Sequence, residues 1–140
     1  MLNAIHHVAI ICSDYERSKH FYSQILRLPV IREIWRAERQ SWKCDLQIGS
    51  DLQIGSAQIE LFSFPDPPPR PSRPEACGLR HLAFRVQSLE PIIARLEEFG
   101  IIVEPIRIDE HTRQRFTFFA DPDGTPLELY EDSAEGSRTS

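Results

Sequence analysis

The chain has 140 residues, a length that suits one domain or two small modules sharing a core. Charged residues make up 26% and apolar residues 41%, as in an ordinary globular protein, and the net charge of −5 argues against bulk binding to nucleic acid or to an anionic membrane surface. No apolar run reaches the ~20 residues of a membrane helix, the N-terminus lacks the layout of a signal peptide, and Cys12, Cys44 and Cys77 are widely spaced without a CxxC, so they read as free thiols of a cytoplasmic protein.

In chain order, residues 4–11 (AIHHVAII) form the first predicted strand, short and rich in apolar and branched residues. Ser13 and Asp14 offer a cap for a helix running to about Leu28, with Phe21, Tyr22, Ile25 and Leu26 on its apolar face and Pro29 as its stop. Residues 30–37 and 42–48 read as strands. The hexamer DLQIGS at 45–50 is then repeated at once at 51–56. Residues 57–64 are the next strand. Residues 65–74 hold six prolines and form a stiff, extended loop.

The second half repeats this plan. A strand at 79–86 leads to Ser88, a candidate cap, and to a helix carrying Ile92, Ile93, Leu96 and Phe99 that Gly100 ends. Strands are predicted at 101–108, 114–120 and 126–131, with the turn Asp121-Pro122-Asp123-Gly124 before the last. The order is therefore βαβββ twice, an α+β architecture. It forms a single domain over 1–132, with module one at 4–64, a proline-rich linker at 65–78, module two at 79–131 and a flexible tail at 133–140.

Each module carries a histidine on its first strand and a glutamate on its last, namely His7 and Glu60, then His81 and Glu128. The members of the first pair lie 53 residues apart and those of the second 47. The difference is one hexamer, so DLQIGS reads as an insertion into a symmetric pair. One copy is expected to pair as strand while the other bulges or extends a hairpin loop. Strand alternation places His7 with Ile5, Ala9 and Ile11, and opposite His6, Val8 and Ile10. It places Glu60 with Gln58 and Phe62, His81 with Ala83 and Arg85, and Glu128 with Tyr130. On three of these four strands the opposite face is the more apolar and suits packing beneath a helix; the first strand is ambiguous. Imidazoles and carboxylates together are ligands for Zn, Ni, Co, Mn or Fe, and a carboxylate on an apolar strand is costly unless paired or metal-bound.

These residues carry a resemblance. His6-His7-Val8-Ala9-Ile10, Phe21-Tyr22, Ile59-Glu60-Leu61, Arg80-His81-Leu82-Ala83-Phe84 and Phe119-Ala120-Asp121-Pro122-Asp123-Gly124 leading to Leu127-Glu128-Leu129 resemble the vicinal oxygen chelate superfamily, with its glyoxalase I/bleomycin-resistance fold. Within it the chain is similar to small bacterial proteins of the YaeR type, through Glu60-Leu61-Phe62-Ser63-Phe64 and the proline loop. The resemblance implies two modules curving into an open barrel, a divalent metal held by His7, Glu60, His81 and Glu128 within one chain or across a homodimer, and a small-molecule substrate. It implies Lewis-acid chemistry of the glyoxalase I type, in which two vicinal oxygens are held, an enediolate is stabilised and Glu128 or Glu60 shuttles a proton. Dioxygenases and fosfomycin-resistance enzymes of the superfamily lack a carboxylate at the position of Glu60, and the antibiotic-sequestering branch generally lacks the metal ligands. An Fe(II) dioxygenase and a non-catalytic antibiotic-binding protein are the alternatives. Arg85 and Arg115, with Arg70 and Arg73, are candidates for binding an anionic substrate, in competition with structural roles.

Overall fold

In the computed structural model, which describes residues 1–49 and 56–132, the chain divides into two units, Met1–Pro69 and Arg70–Ser140. Unit one contains β1 (His7–Cys12), α1 (Tyr15–His20), β2 (Val30–Arg36), β3 (Ser41–Ile48) and β4 (Ala57–Ser63), with strand order β1-β4-β3-β2. Unit two contains β5 (Leu82–Val86), α2 (Leu89–Glu98), β6 (Arg107–Ile108), β7 (Arg115–Ala120) and β8 (Pro126–Glu131), with order β5-β8-β7-β6. The βαβββ order appears in both. In each sheet the first and last strands of the unit are parallel neighbours and the others run antiparallel.

In unit one the sheet buries Ile10, Cys12, Cys44, Leu46, Ile59 and Leu61, together with Tyr15, Phe21, Tyr22 and Ile25 of the helical segment. This resolves the ambiguity of the first strand: Ile10 and Cys12 face the core, whereas Ile11, on the His7 face, is 55% exposed. In unit two the buried set among the described residues is Leu89, Leu96, Thr117, Phe119, Asp121, Leu127 and Leu129. Truncating a fully buried leucine such as Leu96 to alanine costs about 2–5 kcal/mol. Thr117 is tolerated in that core because its hydroxyl donates to the Glu104 carbonyl at 2.6 Å.

Several boundaries differ from the sequence reading. β1 starts at His7 and β5 at Leu82, so His81 sits just ahead of its ladder. The first helix is capped by the Asp14 carboxylate, which accepts from the Arg17 amide at 3.1 Å. It stays α-helical only to His20, continues as a π-helical turn over Phe21–Ile25, and closes with Arg27 at positive φ and the Leu28 amide donating to the Tyr22 carbonyl. Ser88 makes no side-chain cap to the backbone of α2; the Glu131 carboxylate does so instead, accepting from the Leu89 amide at 3.0 Å. The strand expected at 101–108 shrinks to Arg107–Ile108, because Pro105 has no amide to continue a ladder; ahead of it Glu104 is tied to β7 through the Phe118 carbonyl and the Thr117 hydroxyl.

Asp45–Ile48 of the first DLQIGS copy pairs regularly with β4, from Asp45↔Glu60 to Ile48↔Ala57. The second copy, apart from Ser56, and the tail from residue 133 lie outside the described residues. Among the described residues no helix is long and apolar enough to cross a membrane.

Candidate metal centre

Both modules build the same local arrangement. In the parallel β1–β4 ladder Ala9 lies beside Glu60, and in β5–β8 Ala83 lies beside Glu128. The histidine two residues before each alanine reaches that carboxylate. His7 Nδ1 is 3.3 Å from Glu60 Oε2, and His81 Nε2 is 3.2 Å from Glu128 Oε2. The carboxylates are largely covered, at 14% and 12% side-chain exposure, while the imidazoles are more open at 41% and 28%. These carboxylates therefore depend on a partner in place of water.

Around the first pair, β3 contributes two charges. Asp45 faces Glu60 across the ladder and is almost fully buried. The Lys43 ammonium lies 2.8 Å from Asp45 Oδ1 and 3.6 Å from Glu60 Oε1, and Arg32 Nε donates to Asp45 Oδ2 at 3.1 Å. Burial opposes ionisation of Asp45, but Lys43 and Arg32 outweigh it and hold its carboxyl below the usual range.

His6 also belongs here. Strand alternation had turned it to the opposite face; it lies just before β1, its carbonyl accepting from the Gln58 amide of β4 at 3.0 Å, and its ring nonetheless reaches His7. Its Nδ1 lies 2.9 Å from His7 Nδ1, and one ligand atom from each of His6, His7 and Glu60 falls within 4.8 Å of the others. The sequence signal available for His6 was the His-His doublet alone. Lys43 and Asp45 carry no signal until the β3–β4 register is known.

Around the second pair, Phe118 lies opposite Glu128 in β7–β8 and meets the His81 ring edge-on, with centroids 5.1 Å apart. Arg80 donates to His81 Nδ1 at 3.0 Å. A guanidinium only donates, so Nδ1 accepts and the neutral imidazole carries its proton on Nε2, facing Glu128. A metal at Nε2 would take the place of that proton.

The arginines named as anion binders sit elsewhere in their local structure. Arg115 is on the Thr117–Phe119 side of β7, opposite Phe118 and Glu128, because strand parity turns it toward α2. There it bonds Glu131 at 2.7 and 2.9 Å and Glu90 at 2.7 Å. Its geometry is that of a clamp between β8 and α2, the structural role that competed with substrate binding. Arg85 is 79% exposed and paired with Asp132 at 3.0 Å. Arg70 is engaged by the Leu79 and Arg80 carbonyls, both at 2.8 Å, and by the Ser72 hydroxyl at 2.9 Å.

The donor set fits a divalent transition metal. Each pair presents one imidazole nitrogen and one carboxylate oxygen, and 3.2–3.3 Å is the span two ligand atoms take around an ion at about 2.1 Å.

Comparison with known proteins gives the family. The family model described as Glyoxalase/Bleomycin resistance protein/Dioxygenase superfamily matches residues 4–129. The chain is 60% identical over 131 residues to YwkD of Bacillus subtilis, covering 94% of this chain and 98% of that one. It is 55% identical over 130 residues to YaeR of Escherichia coli, covering 93% and 97%. The crystal structure of a glyoxalase family protein from Enterococcus faecalis superposes with a TM-score of 0.80 at 50% identity, over 91% of this chain and 96% of that one. With a family model spanning nearly its whole length and two relatives above half identity, the chain belongs to the glyoxalase/bleomycin resistance protein/dioxygenase superfamily.

Proposed function

We propose that the protein is a metal-dependent lyase or isomerase of the glyoxalase I type, with His7, Glu60, His81 and Glu128 as metal ligands and a small vicinal-oxygen compound as substrate. The observation that carries this reading is the repeated His–Glu pair beside an alanine, with carboxylates too covered to be ordinary surface charges. A divalent ion held there supplies Lewis-acid polarisation of two adjacent substrate oxygens. The chain's own residues then move the proton. Glu128 or Glu60 takes it from one carbon and returns it to the neighbouring carbon, so the net change is an internal oxidation–reduction of the substrate. Lys43 places an ammonium 3.6 Å from Glu60 Oε1, a positive charge beside that carboxylate. Phe118 packs edge-on against the His81 ring and sets an apolar surface beside the second pair. In this reading the working form is a homodimer.

Elemental analysis of purified protein tests the ligand set. His7→Ala and His81→Ala should each lose the bound metal, and a variant that keeps the full complement removes its residue from the set. Turnover of the methylglyoxal–glutathione adduct by metal-loaded protein tests the reaction. Glu128→Gln should lower kcat by at least about a hundredfold, and wild-type protein inert on this adduct would exclude glyoxalase I activity. Light scattering reads the oligomeric state.

A further inference from the structure

Unit two contains a cavity of about 400 Å³ between the proline-rich segment Arg70–Ala76 and the exposed side of β7. Its volume is that of a small-molecule site. Four arginines line it, Arg70, Arg73, Arg80 and Arg107, against two carboxylates, Glu75 and Glu104, in a chain whose overall charge is negative. The arginines differ in what they are free to do. Arg70 is spent on holding the loop to the Leu79 and Arg80 carbonyls. Arg107 lies over the rings of Phe116 and Phe118, at 5.1 and 5.5 Å, with one nitrogen on Glu104. That stacking fixes the plane of its guanidinium and leaves donors for another acceptor. Arg73 is exposed and makes no side-chain bond among the described residues. Phe118 forms part of the wall, and its ring meets His81 edge-on, so the cavity abuts the His81–Glu128 pair.

We propose that this cavity is an oxyanion-binding pocket that takes the carboxylate or phosphate end of a small ligand on Arg73 and Arg107, with an apolar body lying against Phe118. A loop pinned in advance by Arg70 presents these donors with little ordering left to do on binding. The inference extends the proposed lyase reading to the class of substrate, a small amphipathic anion, but it stands on the cavity and not on the metal.

The test therefore uses chelator-treated, metal-free protein, titrated calorimetrically at constant ionic strength with phenylacetate, phenyl phosphate and neutral phenylacetamide. Saturable binding of either anion, about tenfold weaker in Arg73→Ala/Arg107→Gln and absent for phenylacetamide, supports the pocket. The tighter of the two anions identifies the headgroup. Both substituted side chains are solvent-exposed, so the double variant should keep its fold, as circular dichroism will report. No saturable binding of either anion, equal binding by the double variant, or equal binding of the neutral amide overturns it. These results do not depend on metal content, so a failed lyase assay and a failed pocket are separate outcomes.

Discussion

Ala83 lies directly beside Glu128 in the β5–β8 ladder, and the same relation recurs between Ala9 and Glu60 in β1–β4. The histidine two residues earlier reaches that carboxylate, at 3.2 Å for His81 and 3.3 Å for His7, and the alanine methyl is the smallest side chain that could stand beside the pair. Leucine at either place adds bulk beside the pair from an exposed position, with no core to disturb. Ala9→Leu and Ala83→Leu should each weaken metal binding by about tenfold or more, by moving an imidazole out of reach, while Tm changes little. Metal titration followed by thermal melting of the apo protein reads both effects.

Arg115 should matter for stability and not for metal. It holds Glu131, which caps α2, and Glu90 in the first turn of that helix. Its guanidinium keeps both carboxyls below their ordinary value of 4.5, Glu90 down to about 2. Folded-state pKa values below the unfolded ones contribute stability above pH 4.5, and that stability is lost as pH falls toward the folded values. Arg115→Met should therefore melt below the wild type at pH 7, and the gap should close as pH is lowered from 5 toward 2. Metal content at pH 7 should be unchanged. A gap independent of pH would assign the loss to packing of the arginine stem.

Lys43 sits between Asp45 and Glu60. Replacing it with methionine leaves a buried aspartate with Arg32 alone, a loss of about 1–3 kcal/mol that urea unfolding will report. The same change removes a positive charge 3.6 Å from a proposed ligand oxygen, so the surviving folded protein should bind divalent cations more tightly. Weaker metal binding in Lys43→Met would mean that the ammonium orients Glu60 and does not compete with the ion.

The duplicated hexamer should be dispensable. Ile48 pairs with Ala57, so deleting residues 51–56 leaves a two-residue connection, Gly49-Ser50, between paired strands. Gly49 already has φ of 79°, suited to the first position of a tight hairpin turn. Shortening the connection from eight residues to two lowers its closure cost by about 1 kcal/mol. The deletion variant should retain metal content and melt at or above the wild type. A lower Tm would show that the second copy makes contacts the ladder needs.

Much of this was legible in the amino-acid order. The period-2 strands, Pro29 and Gly100 as stops, the paired spacing of His7–Glu60 and His81–Glu128, and the βαβββ repeat are local or near-local signals, because side-chain alternation and backbone restriction act over a few residues. The chain alone also marked 45–50 and 51–56 as one extra hexamer. Tertiary structure decided what depends on partners distant in sequence. Register across β3 and β4 brought Lys43 and Asp45 to Glu60. The parity of β7 against α2 made Arg115 a clamp. Pro105 cut β6 to two residues, and His6, at the edge of β1, brought its ring to His7. Each of these follows from contacts between residues 15 to 25 apart along the chain or from where a ladder begins and ends. A strand's own alternation says which residues share a face; only the neighbouring strand says which face that is and what charge waits there.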